Sequence, residues 1–199
     1  VHRESRGIKY ETLSVAPELL ASRLGGAGAP LMERLADHPH LAMWVWSIRA
    51  KAIGRVTLGF GGGPSVRYGL GEEDMLVFRQ AAHTTARMHI EAGARWVLPG
   101  VYGLPYRLRP DELHLLENAP TDPRAWTAIL SHLFGGCVMG TNKNVSVCDP
   151  NGRVWDTDNL WIADASSIPT TLGVNPQHTI MALARMRADR IAESQTAPQ

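Results

Sequence analysis

Ser131-His132-Leu133-Phe134-Gly135-Gly136-Cys137-Val138-Met139-Gly140 opens the most informative part of this chain, and Asn159-Leu160-Trp161-Ile162-Ala163-Asp164-Ala165-Ser166 continues it. It closes through Ile168-Pro169-Thr170 and Val174-Asn175-Pro176-Gln177-His178-Thr179-Ile180-Met181-Ala182-Leu183-Ala184. A histidine ahead of a glycine-rich loop leaves room for a ligand to approach its imidazole, because glycine lets backbone come close. Imidazole titrates near neutrality, which suits proton transfer. The apolar run ending in Asp164-Ala165-Ser166 puts a carboxylate and small residues at the carboxyl end of a strand, where ligands gather in open α/β sheets. Asn175-Pro176 precedes a helix, so backbone N–H groups face an incoming anion or electron-rich ring. Each feature alone has an ordinary account: a solvated histidine, a turn aspartate, an N-cap asparagine. Their combination and order carry the reading.

In that order the segments resemble the C-terminal signature of the glucose–methanol–choline (GMC) oxidoreductases. That family carries a His, a Gly-Thr-Cys-Arg-Met-Gly-like loop, a strand ending in Asp-Ala/Gly-Ser, then Pro-Thr, and a His or Asn opening the last helix. Gly136 stands here for the usual Thr and Val138 for the usual Arg, which predicts altered packing of the loop rather than lost chemistry. Upstream, Gly54-Arg55-Val56, Pro64-Ser65-Val66-Arg67-Tyr68 and Ala92-Gly93-Ala94 resemble the substrate-domain strands and long helix of the same family.

The resemblance implies FAD as cofactor and an alcohol, bulky or hydrophobic, as the small-molecule substrate. His132 would face the flavin and take the substrate hydroxyl proton, and Asn175 would hold the alcohol oxygen. His178 is the rival for the second role, since some relatives use two histidines. Asp164 and Ala165 would approach the ribityl and diphosphate region, and Pro176 and Gln177 the isoalloxazine edge. The electron acceptor is left open. Two further readings share the signature: a hydroxynitrile lyase on the GMC fold, and a non-catalytic degenerate module, against which the presence of both His132 and Asn175 argues.

Working outward, Pro17–Leu24 and Pro30–Ala36 read as short helices, with a turn at Asp37-His38-Pro39-His40. Met43–Ala50, Gly54–Phe60 and Ser65–Leu70 read as strands of one antiparallel sheet, with a hairpin turn at Gly59–Gly63. Trp44 and Trp46 fall on one face, as core or as an apolar wall of a substrate pocket. Glu72–Ala94 is the longest helical pattern and Val97–Leu108 a loop. Beyond Pro120, Asp122–His132 is expected as helix, Val145–Cys148 and Leu160–Ala163 as β-like pieces, and about Gln177–Ser194 as a helix with a frayed polar tail, Gln195–Gln199. The expected fold class is α/β in a mixed α+β arrangement. Residues 1–120 form an antiparallel-sheet substrate domain, and 121–199 a C-terminal segment of a Rossmann-like FAD-binding domain carrying the catalytic pair.

A net charge of +1 with scattered Lys and Arg gives no reason to expect a nucleic-acid partner. No run approaches the length of a membrane span. Cys137 and Cys148 form neither a disulfide framework nor a zinc spacing, no metal is expected, and the pair fits a cytoplasmic, reducing setting with the periplasm as alternative. No Gly-x-Ser-x-Gly elbow supports a serine hydrolase. A Rossmann Gly-x-Gly-x-x-Gly between strand and helix is also missing from the sequence. The start in charged sequence at Val1–Arg6 fits a fragment. The expectation is therefore that an FAD-binding N-terminal region acts with this chain in cis or in trans, and that the chain alone binds FAD weakly or not at all.

Overall fold

A computed structural model of the protein describes residues 2–3 and 7–196. It mixes helices with small antiparallel sheets and divides into two compact units. The first comprises the chain up to Ile53 together with Tyr68–Ile129, and the second comprises Gly54–Arg67 with the chain from Leu130 onward.

In the first unit, β1 (His2–Arg3), β2 (Ile8–Leu13) and β3 (Met43–Ile48) form an antiparallel sheet in that order. Register pairs Ile8 with Ile48, Tyr10 with Trp46 and Thr12 with Trp44, so one face collects Ile8, Tyr10, Trp44, Trp46 and Ile48. The expected sheet of three consecutive strands does not form, because β3 pairs back to β2. Between β3 and the next strand, the N–H groups of Lys51 and Ala52 donate to the Asp74 carboxylate (2.9 and 3.1 Å), which anchors the link away from a hairpin turn. α1 (Pro17–Leu24) and α2 (Ala29–Ala36) follow β2, each with proline in its first turn, where a missing N–H costs nothing.

α3 (Glu72–Glu91) is the spine of this unit. Glu72, Glu73 and Asp74 place negative charge in its first turn, against the positive end of the helix dipole. It ends at Gly93, whose φ of 99° is the left-handed stop a side chain resists. Its inner side carries Met75, Ala82 and Ala86 into a core with Val97, Val101, Leu108, Leu113, Leu116 and Trp126. Trp46, Phe78 and Trp126 stack through 5.4 Å centroid separations, which makes Trp46 a core residue. Trp44 meets His89 edge-on at 6.2 Å. Val97 and Leu108 exchange backbone bonds at 2.9 Å, closing the expected loop between them. α4 (His114–Glu117) completes the unit's helices.

Asp122–His132 is not helical. Only the 3-10 turn Pro123–Ala125 forms, capped by Asp122 accepting from Arg124 N at 3.0 Å. Trp126 bridges to Val101 instead, Thr127 N donates to Gly100 O at 2.8 Å, and the Trp126 indole donates to Pro120 O. With Thr127 N bonded to Gly100 O and Ala125 O accepting from Tyr102 N, the backbone after the 3-10 turn is spent on residues 100–102 and cannot continue a helix.

In the second unit, β4 (Arg55–Leu58) and β5 (Pro64–Arg67) make the expected hairpin, closed by Gly59 N donating to Gly63 O at 2.7 Å. The long chain segment is an irregular ladder: Met139 pairs with Cys148, Cys148 with Val154 and Arg153 with Trp161 as isolated bridges. α5 (Gln177–Thr196) closes it and runs two residues beyond the expected end. Residues 197–199 of the expected frayed tail, and 1 and 4–6 of the charged start, lie outside the described residues. Among the described residues no helix is long and apolar enough to cross a membrane.

Candidate functional site

The second unit holds every residue singled out in the C-terminal motifs. His132 is exposed and has φ 56°, a left-handed conformation that costs a side-chain-bearing residue on the order of 1 kcal/mol. Gly135, at φ 82°, turns the chain again three residues later. The loop then docks: Cys137 N donates to Ser166 O and Met139 N to Ser167 O, both at 2.9 Å. The two motif segments, distant in sequence, are thereby bonded backbone to backbone.

Asp164 organises the far side of that contact. It caps a 3-10 turn, Ala165–Ser167, its Oδ1 accepting from Ser166 N at 2.7 Å and Ser166 Oγ at 2.5 Å. These bonds to Ser166, with a lesser contribution from the nearby Arg187 charge, hold the Asp164 carboxyl below its ordinary range. Asp164 is thus a charged, exposed acceptor, beside half-buried Ala165.

Asn175 is exposed just ahead of α5, Pro176 is buried, and Gln177 and His178 are exposed in the first turn. The bond from Ile180 N to Pro176 O, at 2.9 Å, is the first the helix makes. Gln177, His178 and Thr179 therefore open the helix with N–H groups that lack an intrahelical acceptor. Neutral donors there, a charged acceptor at Asp164 and an exposed Gly136 are a donor set that fits a carbonyl-bearing ring with a hydroxylated side arm, as the flavin end of FAD has. The glycines at 59–63 are spent on the hairpin turn.

One residue missed at the sequence level sits at the centre of this unit. Arg187 of α5 is 0% exposed. Its Nη1 donates to Ile162 O (2.9 Å) and to Ser167 Oγ (2.6 Å), and its Nη2 to the Met139 thioether (3.1 Å). Ser167 Oγ in turn donates to Asp164 O at 2.9 Å. The Arg187 Nε has no hydrogen-bond partner. Gly152 closes over it: a Cβ there would lie 2.7 Å from both Nε and Cδ of Arg187 and 2.6 Å from Ile162 O. Desolvating a guanidinium costs several kcal/mol, and bonds to a charged donor return about 1.5–3 kcal/mol each, less for a thioether acceptor. The signal for it lay in the sequence. Ile180, Leu183, Ala184, Arg187 and Ile191 follow the 3.6-residue period of an inward face, and arginine occupies a core position.

Other candidates resolve as structure. His38 and His40 lie in a 3-10 turn, and among the described residues no cluster could hold a metal ion. His83 pairs with Glu117 at 3.3 Å. Cys137 and Cys148 are both free, and burial pushes the Cys148 thiol up, away from thiolate chemistry. A cavity of 340 Å³ is lined by residues including Leu13, Leu20, His38, Met43 and Trp44, and another of 280 Å³ by residues including Asp149, Arg153, Trp155 and Asp158. Neither includes His132 or Asn175.

Comparison with known proteins bears on the same segments. The sequence profile of the family described as GMC oxidoreductase matches residues 54–184. A GMC-type oxidoreductase of Sinorhizobium fredii is 38% identical over 131 residues, covering 66% of this chain and 25% of the relative. One from Mycobacterium tuberculosis is 31% identical over 188 residues, 94% of this chain and 29% of the relative. A long-chain-alcohol oxidase of Arabidopsis thaliana is 27% identical over 179 residues, 85% of this chain and 24% of the relative. The chain therefore spans about a quarter of the length of these relatives.

Proposed function

The chain belongs to the GMC oxidoreductase family, matching its C-terminal part, and from that premise we propose that it carries the catalytic half of an FAD-dependent alcohol oxidoreductase. The observation that supports this most directly is the docking of the loop after His132 onto the Asp164–Ser167 turn, through Cys137 N to Ser166 O and Met139 N to Ser167 O. It bonds the backbone of the loop that His132 opens to the turn that Asp164 caps, which supports a shared role for the imidazole and the carboxylate.

Alcohol oxidation needs a proton acceptor at the hydroxyl and a hydride acceptor at the adjacent carbon. Flavin supplies the second when bound. His132 supplies the first, its imidazole taking the hydroxyl proton, and Asn175 holds the alcohol oxygen through its amide. Asp164 and Ala165 serve the ribityl side of the flavin, and Pro176 and Gln177 the ring edge, largely through backbone. Residues 1–120 contribute the substrate-facing part and 121–199 the flavin-facing part.

The substrate class is a hydrophobic alcohol, for which the long-chain-alcohol oxidase relative is the support. The exposure of His132, Asn175 and Gln177 on open surface supports a site whose remaining walls come from an FAD-binding region in cis or in trans. The test is anaerobic addition of a long-chain alcohol to the complete flavin-loaded enzyme. Bleaching of the flavin absorbance is expected. A flavin that stays oxidised under excess alcohol would sink the reading, and cleavage of an added cyanohydrin to carbonyl compound and cyanide with the flavin still oxidised would point to a lyase.

A further inference from the structure

We propose that Arg187 is the positioning residue of this site: its guanidinium sets the register of α5, and with it Asn175, against the His132 loop and the Asp164–Ser167 turn. The inference rests on the reading of His132 and Asn175 given above, and it adds a residue that touches neither substrate nor flavin.

The three acceptors of Arg187 come from two stretches that adjoin the site. Met139 ends the loop that begins at His132, and Ile162 and Ser167 flank Asp164. Arg187 itself lies on the helix that Asn175 opens, about 18 Å farther along its axis at 1.5 Å per residue. Slipping α5 by one residue rotates it by about 100° and breaks all three bonds together. A planar guanidinium fixes direction as well as distance, which a point charge or an apolar side chain does not.

The unpartnered Nε and the packing of Gly152 against it argue that the group is held for more than filling space. A methionine would fill much of the same volume without burying a charge, and uncharged replacements of buried ions are often neutral or stabilising. What methionine cannot do is bond Ser167 and Ile162 simultaneously. Through Ser167 Oγ, the guanidinium also reaches the Asp164 carbonyl, so it braces the turn from inside while Ser166 braces it from outside.

The experiment uses the complete flavin-loaded enzyme containing this chain, with R187M, R187K and S167A. For R187M, kcat should fall at least about tenfold while KM moves less than about threefold, the pattern of misplaced groups rather than lost binding. Amide hydrogens in peptides covering 137–140 and 163–168 should exchange faster, a readout independent of turnover. R187K should recover part of kcat, because an ammonium keeps donors toward Ser167 and Ile162, whereas a packing role would be served better by Met than by Lys. Where R187M does not fold, S167A decides: a fall of about threefold or more in kcat supports the proposal, and wild-type kcat overturns it. Wild-type turnover with unchanged exchange in R187M, or Met outperforming Lys, also overturns it. If H132A and N175A leave turnover intact, the site reading fails separately, while the exchange data still judge Arg187.

Discussion

The two units of this chain are stabilised in different ways. The first buries Met75, Leu108, Leu116 and Trp126 in one apolar cluster and Ile8, Tyr10 and Ala81 in a second, with α3 contributing to both. In the second, the buried side chains include Cys148, Ile168 and Pro176, and its largest is a charged one, Arg187. Around it, Gly152 and Ser167 are also buried, and apart from the β4–β5 hairpin the unit is joined by isolated bridges rather than a sheet. One unit is held by removing hydrocarbon from water, the other by directed bonds around a guanidinium. The difference teaches that the second unit is built for position: it carries the proposed catalytic pair, and directed bonds tolerate misplacement less than hydrophobic contact does.

The contrast can be broken most sharply through chemistry. His132→Ala in the complete enzyme should lower kcat by about 10²–10⁴-fold, the range of acid–base catalysis, with melting temperature nearly unchanged because alanine carries about the same left-handed strain as histidine. A comparable loss from a core substitution such as Leu108→Ala at unchanged stability would contradict it. Leu108→Ala should instead cost about 3 kcal/mol in denaturant titrations, from a cavity beneath α3. Gly152→Ala should cost about 2 kcal/mol, since the added Cβ meets Ile162 O and Arg187 and the φ of 94° disfavours it. Its accelerated exchange should be confined to the second unit; global exchange would mean the units do not differ as described. Smaller still is the pH signature. Burial holds His89 below its ordinary value and the Ser166 bonds hold Asp164 below its own. A group depressed in the folded state contributes stability above its unfolded pKa that is lost as pH falls through the folded one. Amide protection factors, which divide out the intrinsic pH dependence of exchange, should therefore begin to fall in the first unit as pH drops below about 6.5, and in the second only below about 4. The reverse order would refute the assignment.

How much of this was legible follows the same division. Helical pattern and boundary residues placed α1, α2, α3 and α5 to within a few residues; α1 and α3 bury apolar side chains, whereas α2 buries none. Periodicity missed β2, although Ile8 and Tyr10 alternate with Lys9 and Glu11, and so misassigned the partner of β3; antiparallel pairing across that separation leaves no local mark. Asp122–His132 looked helical because nothing in those residues announces that Gly100 O and Tyr102 N will take the backbone bonds of Thr127 and Ala125. In the second unit, motif order located His132, Asp164 and Asn175, whereas Arg187 hid among Arg185 and Arg190, which form surface pairs with Asp189 and Glu193. Only the phase of the helix separates it from them.

The φ of 56° at His132 bears on how this position could be engineered. Left-handed backbone is most comfortable for glycine and acceptable to asparagine. A library randomised at residue 132 and sorted for thermal tolerance should therefore enrich Gly and Asn, while one sorted for turnover should retain His. Selection for robustness and selection for activity pull this one codon in opposite directions.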